Sequence, residues 1–150
     1  MIAEALGAYA HFLSIFALLA LLAAETALYR QRMAPATLAL LRRLDLGYGI
    51  AAGAVIVTGL LRVFFLAKGP AFYNANPVFW VKMALFVLVG LMSVPPTIHY
   101  IRTTKANAGD SEIAIPERTF RHIRGHLWGQ LALVSLIPLA AALMARGIGL

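Results

Sequence analysis

The chain contains no cysteine. Disulfides, thiolate nucleophiles, Cys-ligated zinc and iron–sulfur clusters are thereby excluded. Charge is scarce as well. Asp, Glu, Lys and Arg make up 13% of the 150 residues, against roughly 25% in a soluble domain. A chain this poor in charge cannot cover its own outside with it, so lipid must. Acid is the scarcest of all, with six Asp and Glu against 13 Lys and Arg. There is no internal repeat and no low-complexity tract. What is present is apolar: 61% of residues are hydrophobic and the mean hydropathy is +0.82. That composition rules out a disordered tail, a collagen-like chain and a disulfide scaffold.

The length is one domain's worth. Within it lie four apolar runs, from about Ala5 to Leu28, Leu46 to Leu66, Pro77 to Ile101 and Leu127 to Ala145. Each is long enough to cross a ~30 Å hydrocarbon core as a helix, which takes about 20 residues. The runs are solidly apolar and do not alternate with period two, so helices and not barrel strands are expected. The expected fold is an all-α, antiparallel four-helix transmembrane bundle. Nine of the thirteen basic residues fall in two gaps: Arg30, Arg32, Arg42 and Arg43 in one, and Arg102, Lys105, Arg118, Arg121 and Arg124 in the other. Both gaps lie on one side of such a bundle. By the positive-inside rule that side is cytoplasmic, which places both termini and the loop from Ala67 to Asn76 outside. The net charge of +7 is thus explained by membrane topology, and no solvated basic patch points to nucleic acid. A multi-pass protein of the bacterial inner membrane is expected. Glu4 stands where a signal peptide would carry positive charge, so the first run reads as a retained helix.

Local signals fit this layout. Asn76-Pro77 reads as an N-cap followed by proline in the first turn, and Lys68-Gly69-Pro70 ends the second run. Pro95-Pro96 removes two helical donors from the third and is expected to kink it. Pro116 opens a short basic stretch through Arg124, read as an amphipathic segment on anionic lipid. Gly49 and Gly53 form a GxxxG step, a place for close helix approach.

Ionisable groups inside a spanning helix are costly and mark functional sites by default. At ~1.5 Å per residue, His11, Arg62 and Lys82, from three helices, sit at similar depth near the outer face. Snorkelling of Arg62 and Lys82, and a bond from His11 to a neighbouring backbone group or a hydroxyl such as Ser14, are the bland readings of the same residues. Tyr73 and Trp80 at that level read as belt aromatics. A second set lies on the cytoplasmic side: Glu25, Asp45 and His99, with Tyr48, Tyr100, His122 and His126 near them. It reads as an interfacial ion-pair layer or, less simply, as a carboxylate–His metal site. A bis-His haem is excluded by depth, since His11 and His99 differ by roughly 25 Å on a straight-helix count. A haem would rest on His11 alone or on His11 with Met144.

Nearly the whole chain resembles the bacterial membrane proteins grouped as domain of unknown function 2214. The resemblance is carried by His11 with Glu25, Asp45-Leu46-Gly47-Tyr48-Gly49, Thr58-Gly59-Leu60-Leu61-Arg62-Val63, Lys68-Gly69 with Phe72-Tyr73, and Asn76-Pro77-Val78-Phe79-Trp80-Val81-Lys82. Ser93-Val94-Pro95-Pro96-Thr97 and Leu143-Met144-Ala145-Arg146-Gly147 add to it. That family implies a membrane protein and no particular activity. His11, Gly59, and Trp80 with Lys82 are also distantly similar to HemJ-type protoporphyrinogen oxidases, over roughly the first three helices. This likeness implies His11 as the metal ligand of a haem b or porphyrin, with Lys82 as its partner, and a possible membrane oxidoreductase. It ends after Lys82, where Ser93 and the proline pair replace an expected His.

Three functions remain open from the sequence. The first is a haem or porphyrin site of His11, Arg62 and Lys82 with a redox role. The second is a cofactor-free structural or accessory subunit, working as a homo-oligomer or beside a membrane partner. The third is copper or small-solute handling, which five methionines without a Met-x-x-Met step do little to support.

Overall fold

A computed structural model describes residues 2–66 and 69–146. Ala67, Lys68 and Gly147 of the motifs quoted above lie outside the described residues. Four long helices form: α1 (Ile2–Leu28), α2 (Pro35–Leu61), α4 (Pro77–Ala106) and α5 (Glu117–Ala145). α2 runs on as a π-helical turn, Arg62–Leu66, and a short α3 (Pro70–Ala75) precedes α4. Each long helix is apolar enough over 18 residues to cross a membrane. The fold is therefore an all-α membrane bundle.

The helix starts follow from local chemistry. Pro35, Pro70 and Pro77 occupy first turns, where a missing N–H costs nothing. Gly69 takes a φ of 82° to turn the chain into α3. Asn76 caps α4, its side-chain oxygen accepting from the Val78 N–H at 2.9 Å.

α1 packs chiefly on α2 and α4 on α5, and the two hairpins meet through α1–α5 and α2–α4 contacts. The first hairpin is antiparallel: a Cβ at Gly7 would meet Leu66, one at Gly59 would meet His11, and one at Gly47 would meet Leu21. Nothing lies within 4 Å of a Cβ at Gly49 or Gly53. The GxxxG step therefore brings no helix close among the described residues, and other glycines carry the tight approaches.

The long helices exceed the apolar runs on the basic side. α2 begins eleven residues before Leu46, burying Leu38 and Leu41 while Arg42 and Arg43 stay exposed. The stretch after Pro116 is not a separate segment lying on lipid. It is the first two turns of α5, with Phe120 and Ile123 turned to the core and Arg121 and Arg124 outward. The loops between the helices also pair, as β1 (Arg32–Met33) and β2 (Ile113–Ala114), antiparallel with Met33 opposite Ile113. Met33, Ile113 and Ile115 are buried beneath this ribbon. The reason is mutual: two basic-side loops that each carry one apolar stretch cover it against each other.

Core residues concentrate toward this basic end. On α1 the buried residues are Leu18, Leu22, Glu25 and Thr26, with none earlier. Phe12, Leu13 and Phe16 are exposed, as lipid-facing residues are in a bundle without a water-excluding task on that face. Tyr73 is 8% exposed and packs against Phe72 and Phe79, so it is a core residue and not a belt aromatic. Trp80 is exposed, as a belt residue is, and its Nε1 donates to the Asn74 carbonyl.

α4 passes through Pro95 and Pro96 as one helix. Pro96 leaves the Met92 carbonyl without its usual i+4 donor. Buried Gln130 of α5 supplies one, its Nε2 donating to Met92 O at 3.2 Å.

Candidate functional site

The half of the α1–α2 hairpin away from the basic loops presents His11. Gly59 makes room for it, since a Cβ there would stand 3.3 Å from the His11 Cε1. His11 Nδ1 lies 2.9 Å from Thr58 Oγ1. Ser14, the hydroxyl expected to partner His11, donates instead to the Ala10 carbonyl one turn back. The Thr58 hydroxyl proton is committed to the Ala54 carbonyl at 2.6 Å. With the Thr58 hydroxyl donating to the Ala54 carbonyl, Thr58 accepts from His11, an arrangement that puts the ring hydrogen on Nδ1 and leaves the Nε2 lone pair. This tautomer follows from the bonding of Thr58, which is invisible in the sequence except as the Thr-Gly pair itself.

Arg62 and Lys82 both lie within electrostatic reach of His11, and of each other. Arg62 opens the π-helical turn, and its guanidinium carbon is 5.8 Å from the centre of the Phe12 ring. Lys82 is half-buried on α4, with its Nζ 5.3 Å from the centre of the Phe79 ring. Among the described residues neither forms an ion pair. This layer thus holds two cations and a ligand-type imidazole with no acid paired to them among the described residues.

About 21 Å further along α1, at ~1.5 Å per residue, lies a second polar layer. Glu25 is 2% exposed and its Oε1 has no hydrogen-bond partner among the described residues. Asp45 of α2 is close enough to interact with it electrostatically and accepts from Thr97 Oγ1 of α4 at 2.7 Å. Tyr48 and Tyr100 complete this layer, each interacting electrostatically with both carboxyl groups. Both tyrosines are expected near this layer, and Tyr48 follows Asp45 by three residues on one helix. Thr97 carries no such signal, because it arrives from another helix.

His99 does not join the carboxyl groups. Its Nε2 lies 3.0 Å from the Tyr29 hydroxyl and its Nδ1 3.4 Å from Thr103 Oγ1. Tyr29 also stacks on Phe120 of α5, so this corner is an aromatic latch where three helices meet. The expected ion-pair layer does not form among the described residues, where the one ion pair is the exposed Arg121–Glu117 contact at 3.1 Å. No three His, Cys, Asp or Glu side chains converge there either. His122 and His126 pair edge to face, with ring centroids 4.7 Å apart.

No curated protein and no solved structure matches the chain, so the likeness to HemJ-type oxidases rests on His11, Gly59, Trp80 and Lys82 alone. A family model matches residues 3–149. With that match over nearly the whole chain and four helices long and apolar enough to cross a membrane, the chain belongs to the DUF2214 family of predicted membrane proteins.

Proposed function

We propose that His11, Arg62 and Lys82 form a site for haem b or a porphyrin in the outer half of the bundle, in a bacterial inner-membrane protein whose basic end faces the cytoplasm. The reading rests on one observation above all: His11 Nδ1 lies 2.9 Å from Thr58 Oγ1, a bond that, with the ring hydrogen on Nδ1, leaves the Nε2 lone pair for a metal. Haem-ligating and metal-ligating histidines are held in this way by a partner on the other ring nitrogen. Arg62 and Lys82 would pair with the two propionates, and the apolar helix faces would cover the macrocycle. An imidazole with two cations is the donor set that such a group takes. Bound there, haem would supply one-electron chemistry at its iron, and the protein would be a small membrane redox component.

A second reading keeps the same contacts and no cofactor. The His11–Thr58 bond would then be a polar clamp between two membrane helices, of the kind worth about 0.6 kcal/mol in membrane bundles, in a structural or accessory subunit. It is favoured by a cavity of about 110 Å³ between α2 and α4, which is lined by Asp45, Tyr48 and Thr97 and not by His11.

Absorption spectroscopy of the detergent-purified protein separates the two. A Soret band, with α and β bands on reduction, is expected for the first. His11→Ala should abolish it with the protein still folded. Lys82→Ala should weaken haem retention less, because a propionate ion pair near water is screened and replaceable. His99→Ala should leave the spectrum unchanged. A colourless protein, after expression with ample haem supply and after haem titration, refutes the site.

A further inference from the structure

A groove of about 380 Å³ runs between α4 and α5 toward the basic end of the bundle. It is lined by Val94, Pro95, Ile98 and Arg102 of α4 and by Thr119 and Ile123 of α5. His99 adds a wall, with its ring nitrogens facing Tyr29 and Thr103. Val94 and Ile98 are exposed, so the groove opens to the outside of the bundle.

The lining is sorted along its length. At ~1.5 Å per residue, Arg102 stands about 12 Å from Val94 along α4. The two helices run antiparallel, and counting from the Gln130–Met92 bond sets Thr119 level with Thr103, beside Arg102. One end of the groove is therefore apolar and the other is a cation next to a hydroxyl. The third apolar run ends at about Ile101, which puts the apolar end in hydrocarbon and the Arg102–Thr119 end at the headgroups.

The charge at that end is uncompensated. Arg102 is exposed and pairs with no acid among the described residues. Lys105 follows it by three positions, and Arg118 precedes Thr119. Thr119 lies in the first turn of α5, where Pro116 as N-cap supplies no side-chain bond, and that end of a helix favours an anion. A soluble anion would use only this polar end, and water would gain nothing at the Val94 end. An anionic amphiphile uses both. A zwitterionic one would bring a cation of its own to a place already basic.

We propose that the groove between α4 and α5 binds an anionic phospholipid, with its phosphate on Arg102 and Thr119 and the start of one acyl chain along Val94, Pro95, Ile98 and Ile123. The phosphate oxygens accept from the guanidinium and from the Thr119 hydroxyl. Basic pockets between membrane helices take lipid head groups in this manner. The groove shares no residue with the His11 layer, so the lipid binds or fails to bind independently of haem.

Native mass spectrometry of the detergent-purified protein tests it, with phosphatidylglycerol, phosphatidylcholine of the same chains, or inorganic phosphate added in turn. One phosphatidylglycerol should be retained at concentrations where phosphatidylcholine is not, and an equal concentration of inorganic phosphate should not displace it. Arg102→Gln should weaken retention about tenfold, as expected for a lost charge-assisted hydrogen bond. Arg43→Gln, at an exposed arginine of α2 outside the groove, should weaken it less than about twofold, as a screened surface charge does. Val94→Trp fills the apolar end without changing charge and should weaken retention as well. The wild-type comparison of the two lipids stands whether or not the variants fold. Equal retention of both lipids overturns the proposal. Equal losses from Arg102→Gln and Arg43→Gln overturn it too, since the attraction would then be diffuse. So does full retention by Val94→Trp, or displacement by inorganic phosphate, since the chain would then play no part.

Discussion

Gly59 and His11 occupy each other's space. A side chain at 59 would begin 3.3 Å from the imidazole, tighter than an unforced contact, while the Thr58 bond holds the ring in place. Gly59→Val should therefore push His11 away from Thr58 and destabilise the bundle by about 1–3 kcal/mol, the cost of overpacking. Gly53 lies on the same helix with nothing within 4 Å of its Cβ position. Gly53→Val should change stability by less than about 0.5 kcal/mol. Unfolding in mixed detergent–SDS micelles measures both, and the imidazole ¹⁵N shifts report whether Nδ1 keeps its hydrogen. Equal effects of the two substitutions would mean that the imidazole contact is not the reason for glycine at 59.

At the scale of the elements, α4 and α5 are joined by a repair. Pro96 removes a backbone donor, and Gln130 restores one to the Met92 carbonyl from the neighbouring helix. The two residues should therefore be coupled. Gln130→Leu in the wild type leaves the carbonyl unsatisfied, whereas in a Pro96→Ala background the backbone N–H regained at that position can serve it. The double-mutant cycle should show a coupling of about 0.6–1.7 kcal/mol, the range of polar contacts between membrane helices. Strict additivity would show that Gln130 is kept for another reason, such as close packing where a Cβ at Gly129 would meet Met92.

At the scale of the whole molecule, the charge distribution sets an orientation. Both basic-side loops lie at one end, tied by the β1–β2 pair, and on the orientation proposed above from the positive-inside rule that end faces the cytoplasm. Alkaline phosphatase fused after Leu150 should be active and a fusion at Ala108 inactive. The opposite pattern would invert the protein and put the His11 layer on the cytoplasmic side. The same asymmetry appears in packing, with the core dense beneath the ribbon and the outer half of α1 largely exposed to lipid.

The fold class was legible without coordinates, because four long apolar runs in a charge-poor chain have one stable arrangement in lipid, as helices with their backbone bonds satisfied internally. Helix caps at Asn76 and Pro77 were legible for the same local reason. The helix ends on the basic side were not. Apolar runs report the thickness of the membrane, whereas α2 and α5 continue past it because Leu38, Leu41, Phe120 and Ile123 find cover outside the bilayer. Depth along a helix could also be counted, so His11, Arg62 and Lys82 could be set at one level and Glu25 and Asp45 at another. Facing could not. Which hydroxyl holds His11, why His99 turns to Tyr29, and that Tyr100 comes within electrostatic reach of two acids all depend on the rotation of one helix against the next. That rotation is fixed by side chains distant in sequence, by Gly59 yielding to an imidazole and by Gln130 answering a proline 34 positions earlier, and only their packing together decides it.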